Sequence, residues 1–175
     1  VCALLDDGSV KCWGDDAYGQ LGNGGTNTDT NSPSSSAINL GSGRTAKAIT
    51  GGEFHFCAIL DDDSIKCWGH GANGKLGTGS YADRTTPRST SGSFATGRYA
   101  VAIDAGYDHT CAILDNGQLT CWGSDSDGQL GNGATTGTKS SLQSSTVSLG
   151  TGRTAISISA GGTHTCAQLD NNELM

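Results

Sequence analysis

Hydrophobic and polar positions alternate along this chain in short runs, each closed by glycine, asparagine or aspartate. Ala100 to Asp104 alternates, Thr110 to Leu114 and Gln118 to Trp122 are short and turn-bounded, and Thr146 to Leu149 offers a fourth stretch of the same kind. Such runs predict four β-strands in one segment, because side chains on a strand point to opposite faces with a period of two. Apolar residues nowhere keep helical spacing over ten positions.

The pattern is periodic. Cys2, Cys57, Cys111 and Cys166 are spaced 55, 54 and 55 residues apart, and Cys12, Cys67 and Cys121 keep the same step, as do Trp13, Trp68 and Trp122. The step extends to "GQLGNG" at 19, "GKLGTG" at 74 and "GQLGNG" at 128, and to the arginines Arg44, Arg98 and Arg153. Between these anchors, segments such as "TNTDTNSPSSS" and "SYADRTTPRSTSGS" differ between copies and read as loops. Several short strands per copy, several copies and many turns predict an all-β fold, a β-propeller of four-stranded blades. The repeats are placed at 1–45 (incomplete at its start), 46–99, 100–154 and 155–175 (truncated), about 3.2 copies in all.

The cysteines follow from the hairpin. If Leu114 and Gln118 close a turn over Asp115-Asn116-Gly117, Cys111 faces Cys121, and the same count sets Cys2 against Cys12 and Cys57 against Cys67. The last turn position needs a left-handed backbone; Gly8 and Gly117 occupy it in two copies, and Asp63 and Asn172, the next most tolerant types, in the others. Directly opposed α-carbons lie about 4.5–5.5 Å apart, within disulfide reach. Each bridge contributes about 2–3 kcal/mol by chain entropy. Zinc is the rival, held by trios such as His109, Cys111 and Cys121, but the trio lacks a fourth ligand and a second close cysteine pair. Free buried thiols are the third alternative. Disulfides predict an oxidising location, extracellular or at the cell surface. Cys166 has no partner in the chain: Met175 falls one residue short of the facing position. About 3.2 copies fall short of a closed ring, so the expectation is part of a longer array or an assembly of several chains.

Composition sharpens this. The chain has 175 residues, 34% hydrophobic, with 28 glycines. A formal charge of -7 and ten scattered basic residues oppose nucleic-acid binding, which depends on clustered Lys and Arg. No apolar run is long enough to span a bilayer, and no signal peptide stands at Val1. His55, His109 and His164 recur at one motif position, as a scaffold residue does, whereas catalysis needs one asymmetric constellation. His70 is the unrepeated histidine. "SDSDG" at 124–128 resembles part of a calcium loop, but its oxygen ligands are not kept in the other copies. No catalytic, cofactor-binding or metal site is therefore assigned. The tryptophans read as core or blade contacts, and the three arginines as carboxylate-paired or solvated. Thr28, Thr30, Ser34, Ser35, Ser36, Thr85 and Thr86 are candidate O-glycan acceptors in loops near Pro33 and Pro87.

"AGYDHTCAILDNGQLTCWGSDSDGQLGNG" (105–133) resembles the repeat of the regulator of chromosome condensation family. The resemblance covers nearly the whole chain and implies a propeller, usually of seven blades. Cysteines fill positions commonly small or aromatic in that family, similar to its secreted microbial members. The resemblance leaves function open, since one scaffold hosts unrelated activities. The expectation is a non-enzymatic extracellular module that binds a protein or glycan through variable polar loops. The alternatives are a structural subunit of an extracellular filament or cell-surface layer, which would make the chain a homo-oligomer, and a secreted inhibitor-like binding protein.

Overall fold

A computed structural model describes residues 1–135 and 137–175. Turns marked by glycine, asparagine or aspartate close the hairpins between short strands. The strands are β1 (Cys2–Leu4), β2 (Val10–Cys12), β3 (Ala46–Gly51), β4 (His55–Leu60), β5 (Ile65–Gly69), β6 (Arg84–Ser89), β7 (Ala100–Ala105), β8 (His109–Leu114), β9 (Leu119–Ser124), β10 (Thr138–Lys139), β11 (Ala155–Ala160) and β12 (Thr165–Leu169). They form two four-stranded antiparallel sheets, β3-β4-β5-β6 and β7-β8-β9-β10, flanked by the pairs β1-β2 and β11-β12. The fold is an arc of a β-propeller. The first strands of successive sheets, β3, β7 and β11, lie side by side on the inner edge of the arc.

The inner strands share one irregularity. A β-bulge interrupts the register between Ala46 and Ala48, Ala100 and Ala102, and Ala155 and Ser157. A bulge adds a residue that pairs with nothing and increases twist. It leaves Lys47, Val101 and Ile156 exposed in the three strands. Near the other end of β7, Asp104 spans three sheets: it accepts from the Thr50 hydroxyl at 2.9 Å and from the Ala160 amide at 2.8 Å.

The hairpins keep the expected register. Cys2 faces Cys12, Cys57 faces Cys67 and Cys111 faces Cys121, and each pair is a disulfide with α-carbons 4.1 Å apart. The left-handed turn position has φ of 77° at Gly8, 65° at Asp63, 75° at Gly117 and 67° at Asn172. The zinc trio does not form, because its two cysteines are bonded to each other. Cys166 is free and exposed.

The expected fourth strand is misplaced. Thr146 to Leu149 is not a strand; the outer position of that sheet belongs to β10, whose Thr138 and Lys139 face Ser124 and Gly123. Val147 makes one backbone hydrogen bond, to the Leu119 carbonyl at 2.8 Å, and Leu149 is buried in the core beneath the sheet. Burial of alternate apolar side chains produced the strand-like pattern without a ladder. Thr85 and Thr86 likewise lie in strand β6 and not in a loop.

Candidate functional site

Each sheet is joined to the next by contacts that recur with the period of the sequence. Trp68 and Trp122 are fully buried, and their indole N–H groups donate to the backbone carbonyls of Gln20 and Lys75 in the preceding sheet, both at 3.0 Å. Gly22 and Gly77, with φ of 67° and 65°, face these rings; a methyl group there would lie 3.0 Å and 2.8 Å from them. Trp13, in the first repeat, is half-buried.

The histidines are clasps. His55 lies 3.0 Å from the Thr110 hydroxyl, which itself donates to the Lys75 carbonyl at 2.9 Å. Thr110 must then accept from His55, so Nε2 carries a proton, and the buried Nδ1, which meets no partner, fits a neutral ring. His109, Thr165 and the Gln129 carbonyl repeat the chain at 2.9 Å each. Burial, reinforced by the Lys75 ammonium, lowers the His55 pKa to about 3; burial also lowers that of His109. Both histidines are committed to the joint between sheets. His164 is exposed.

The connections divide between two ends of the arc. One end carries the hairpin turns and the three arginines, and here carboxylates are consumed by the scaffold. Arg44 pairs with Asp61 and Asp62 at 3.3 and 2.9 Å, Arg98 with Asp115 at 2.8 Å and Arg153 with Asp170 at 3.4 Å. The other end, the glycine-loop face, carries the segments 52–54, 70–83, 106–108 and 125–135 that lie between first and second and between third and fourth strands. Its "SDSDG" segment is a turn, not a calcium loop. Asp125 is buried and accepts from the Leu130 amide at 3.1 Å and the Asn132 side chain at 2.7 Å, as Asp16 accepts from Leu21 at 3.0 Å. Among the described residues, no three His, Cys, Asp or Glu side chains converge as a metal site.

On this face the copies diverge. Tyr18 comes within 4.3 Å of His70 and 5.2 Å of Phe54, measured between ring centroids, at the junction of the first two sheets. The His70 amide donates to the Phe54 carbonyl at 2.8 Å, and the Tyr18 amide to the Gln20 side chain at 2.8 Å, so the three rings are set by the backbone. At the next junction the same backbone bond joins Ser124 to Asp108, and the ring positions hold Asn73, Asp108 and Ser124. There the buried Lys75 ammonium pairs with Asp108. That partner holds the Asp108 carboxyl below its usual range, outweighing the burial that would raise it. Burial and the nearby Lys75 lower the His70 pKa, against the pull of Asp83, Asp108 and Glu53. Glu53 and Asp83 are exposed and join no ion pair among the described residues. Sequence reading singled out His70 and missed Tyr18 and Phe54; the available signal was their replacement by polar residues in every other copy.

The candidate glycan acceptors are dispersed. Thr28 is exposed, but its hydroxyl donates to the buried Asp16 carboxylate. Thr30 and Ser34 are half-buried, and Ser35 and Ser36 are exposed. Thr85 is half-buried and its carbonyl accepts from the Gly24 amide at 2.8 Å; Thr86 is exposed.

The Regulator of chromosome condensation (RCC1) repeat matches residues 1–20, 46–75 and 100–129 in one form, and 62–113 and 116–168, more than half of the chain, in another. The chain is 34% identical over 134 residues to the human E3 ubiquitin-protein ligase HERC2, covering 77% of this chain and 3% of that one. Its backbone is similar to that of yeast RCC1 (Prp20) bound to Kap60, with a TM-score of 0.81 at 19% identity, covering 99% of this chain and 38% of the yeast protein. It is also similar to the ectodomain of the Physcomitrella patens receptor kinase CR4, with a TM-score of 0.60 at 20% identity, over 100% of this chain and 37% of that one. These structural likenesses establish the fold. The chain spans well under half the length of each of the three.

Proposed function

The chain belongs to the regulator of chromosome condensation repeat family, and on that premise we propose that it is a non-enzymatic extracellular module that binds a protein through its glycine-loop face. The observation that carries the reading is the division of chemistry between the two ends of the arc. Repeated residues at the turn end pair with one another, whereas the loop end combines exposed Tyr81 and Tyr107 with unrepeated Tyr18, Phe54 and His70. Partly exposed aromatics among polar groups are the usual composition of a protein-binding patch. Three disulfides support an oxidising location.

Two measurements test this. A photo-crosslinking side chain placed at Tyr107 or Asp83, on the loop face, is expected to capture a discrete protein, while one at Asp62, on the turn face, does not. Capture from Asp62 alone, or from neither face, contradicts the reading. For the location, the non-reduced mass of native material is expected to lack six hydrogens at Cys2, Cys12, Cys57, Cys67, Cys111 and Cys121. Fully reduced thiols at those positions would place the protein elsewhere.

A further inference from the structure

We infer that the Tyr18, Phe54 and His70 cluster is the seat of an arginine side chain from the protein partner. The inference rests on the binding role proposed for this face and specifies its chemistry. Three half-buried rings meet here, their centroids 4.3, 5.2 and 6.4 Å apart, and together they form one aromatic patch. An apolar ligand would suit rings alone. The charged group acting most strongly on the cluster is the buried Lys75 ammonium, which is paired with Asp108; the Asp83 and Glu53 carboxylates also act on it and have no cation partner among the described residues. Asp83 is held in place by the Gly71 amide, which donates to it at 2.8 Å. Aromatic faces carry negative charge at their centres and attract cations within about 6 Å. Rings flanked by carboxylates therefore select a group that is both flat and positive, and guanidinium stacks on a ring while pairing with a carboxylate.

Uniqueness argues against a purely scaffold role. The next junction is built on the same backbone with Asn73, Asp108 and Ser124 at these positions, and the one after it places Asp127 and Thr163 at two of them. The propeller therefore forms without the rings. His70 also gives the seat a sign that depends on pH. Burial and Lys75 lower its pKa while Asp83, Asp108 and Glu53 oppose this, so the ring is neutral at pH 7 and becomes cationic in acid. Affinity for a cation then falls as pH drops through the His70 titration.

The test compares two pentapeptides, Gly-Ser-Arg-Ser-Gly and its citrulline counterpart, which keeps the shape and loses the charge. Nuclear magnetic resonance of the 175-residue chain reports the ring protons directly. The arginine peptide is expected to shift Tyr18, Phe54 and His70 saturably, with citrulline about fivefold weaker or more. Phe54→Thr is expected to abolish the shifts, and Asp83→Asn to weaken them. Equal binding of both peptides, shifts confined to other carboxylates, or no saturable shift overturns the inference. If crosslinking from Tyr107 or Asp83 still captures a protein in that case, the binding face stands and its arginine preference falls.

Discussion

The junction between the first two sheets and the junction between the second and third share a backbone and differ in chemistry. Both place a buried tryptophan against a left-handed glycine and a carbonyl, Trp68 with Gly22 and Gln20, Trp122 with Gly77 and Lys75. At the second, the joint is completed by polar groups: His55 clasps Thr110, and Lys75 pairs with Asp108. At the first, Phe56 takes the place of Thr110 and stacks on Trp68 at 6.0 Å, and Tyr18, Phe54 and His70 form the aromatic cluster. Tryptophan, glycine and carbonyl are common to both and join the sheets, whereas the ring positions differ between junctions and are free to carry recognition.

The strongest way to break this comparison is to remove the shared element. Trp122→Ala and Trp68→Ala are each expected to cost about 3–5 kcal/mol in chemical denaturation, since each empties a buried site and removes an indole hydrogen bond. A large cost at one junction and little at the other would mean that the two are not equivalent. Next in size, Gly77→Ala and Gly22→Ala force a side chain into the left-handed region and against an indole. Each is expected to cost about 1–3 kcal/mol, with Gly77 the more sensitive because its contact is closer.

Acid sharpens the difference. The His55 pKa is about 3 when folded, against an ordinary 6.5, so the unfolded chain binds the proton more readily. The stability linked to this residue is complete above pH 6.5 and is lost as pH falls toward 3. The expected loss from this group is about 2 kcal/mol by pH 5, read as a pH-dependent denaturation midpoint that His55→Gln flattens. The smallest effect belongs to Lys75→Gln, which installs the residue found at Gln20 and Gln129. It is expected to change stability by less than about 1 kcal/mol, because the Asp108 carboxylate left behind is more than a third exposed and stays hydrated.

Much of the scaffold was legible because it repeats. Spacing placed the hairpins, and the residues at the left-handed turn position, Gly8, Asp63, Gly117 and Asn172, fixed the register that brings the sulfurs together. The outer strand was not legible. Val147 and Leu149 alternate like a strand because they line the core, while the actual outer strand, Thr138–Lys139, is polar and short. The aromatic cluster was hidden for a different reason. Tyr18 and Phe54 are 36 residues apart, and only the docking of one sheet on the next brings them together.

The account rests on the separation of repeated contacts that hold the arc together from unrepeated ones that bind. The direct test is one triple variant, Tyr18→Asn, Phe54→Thr and His70→Ser, which gives each ring position the residue of another copy. Its denaturation midpoint and its capture of partner by the crosslinker at Tyr107 are measured side by side. The predicted result is stability within about 1 kcal/mol of the parent with capture lost. A variant that unfolds, or one that captures its partner as the parent does, contradicts the account.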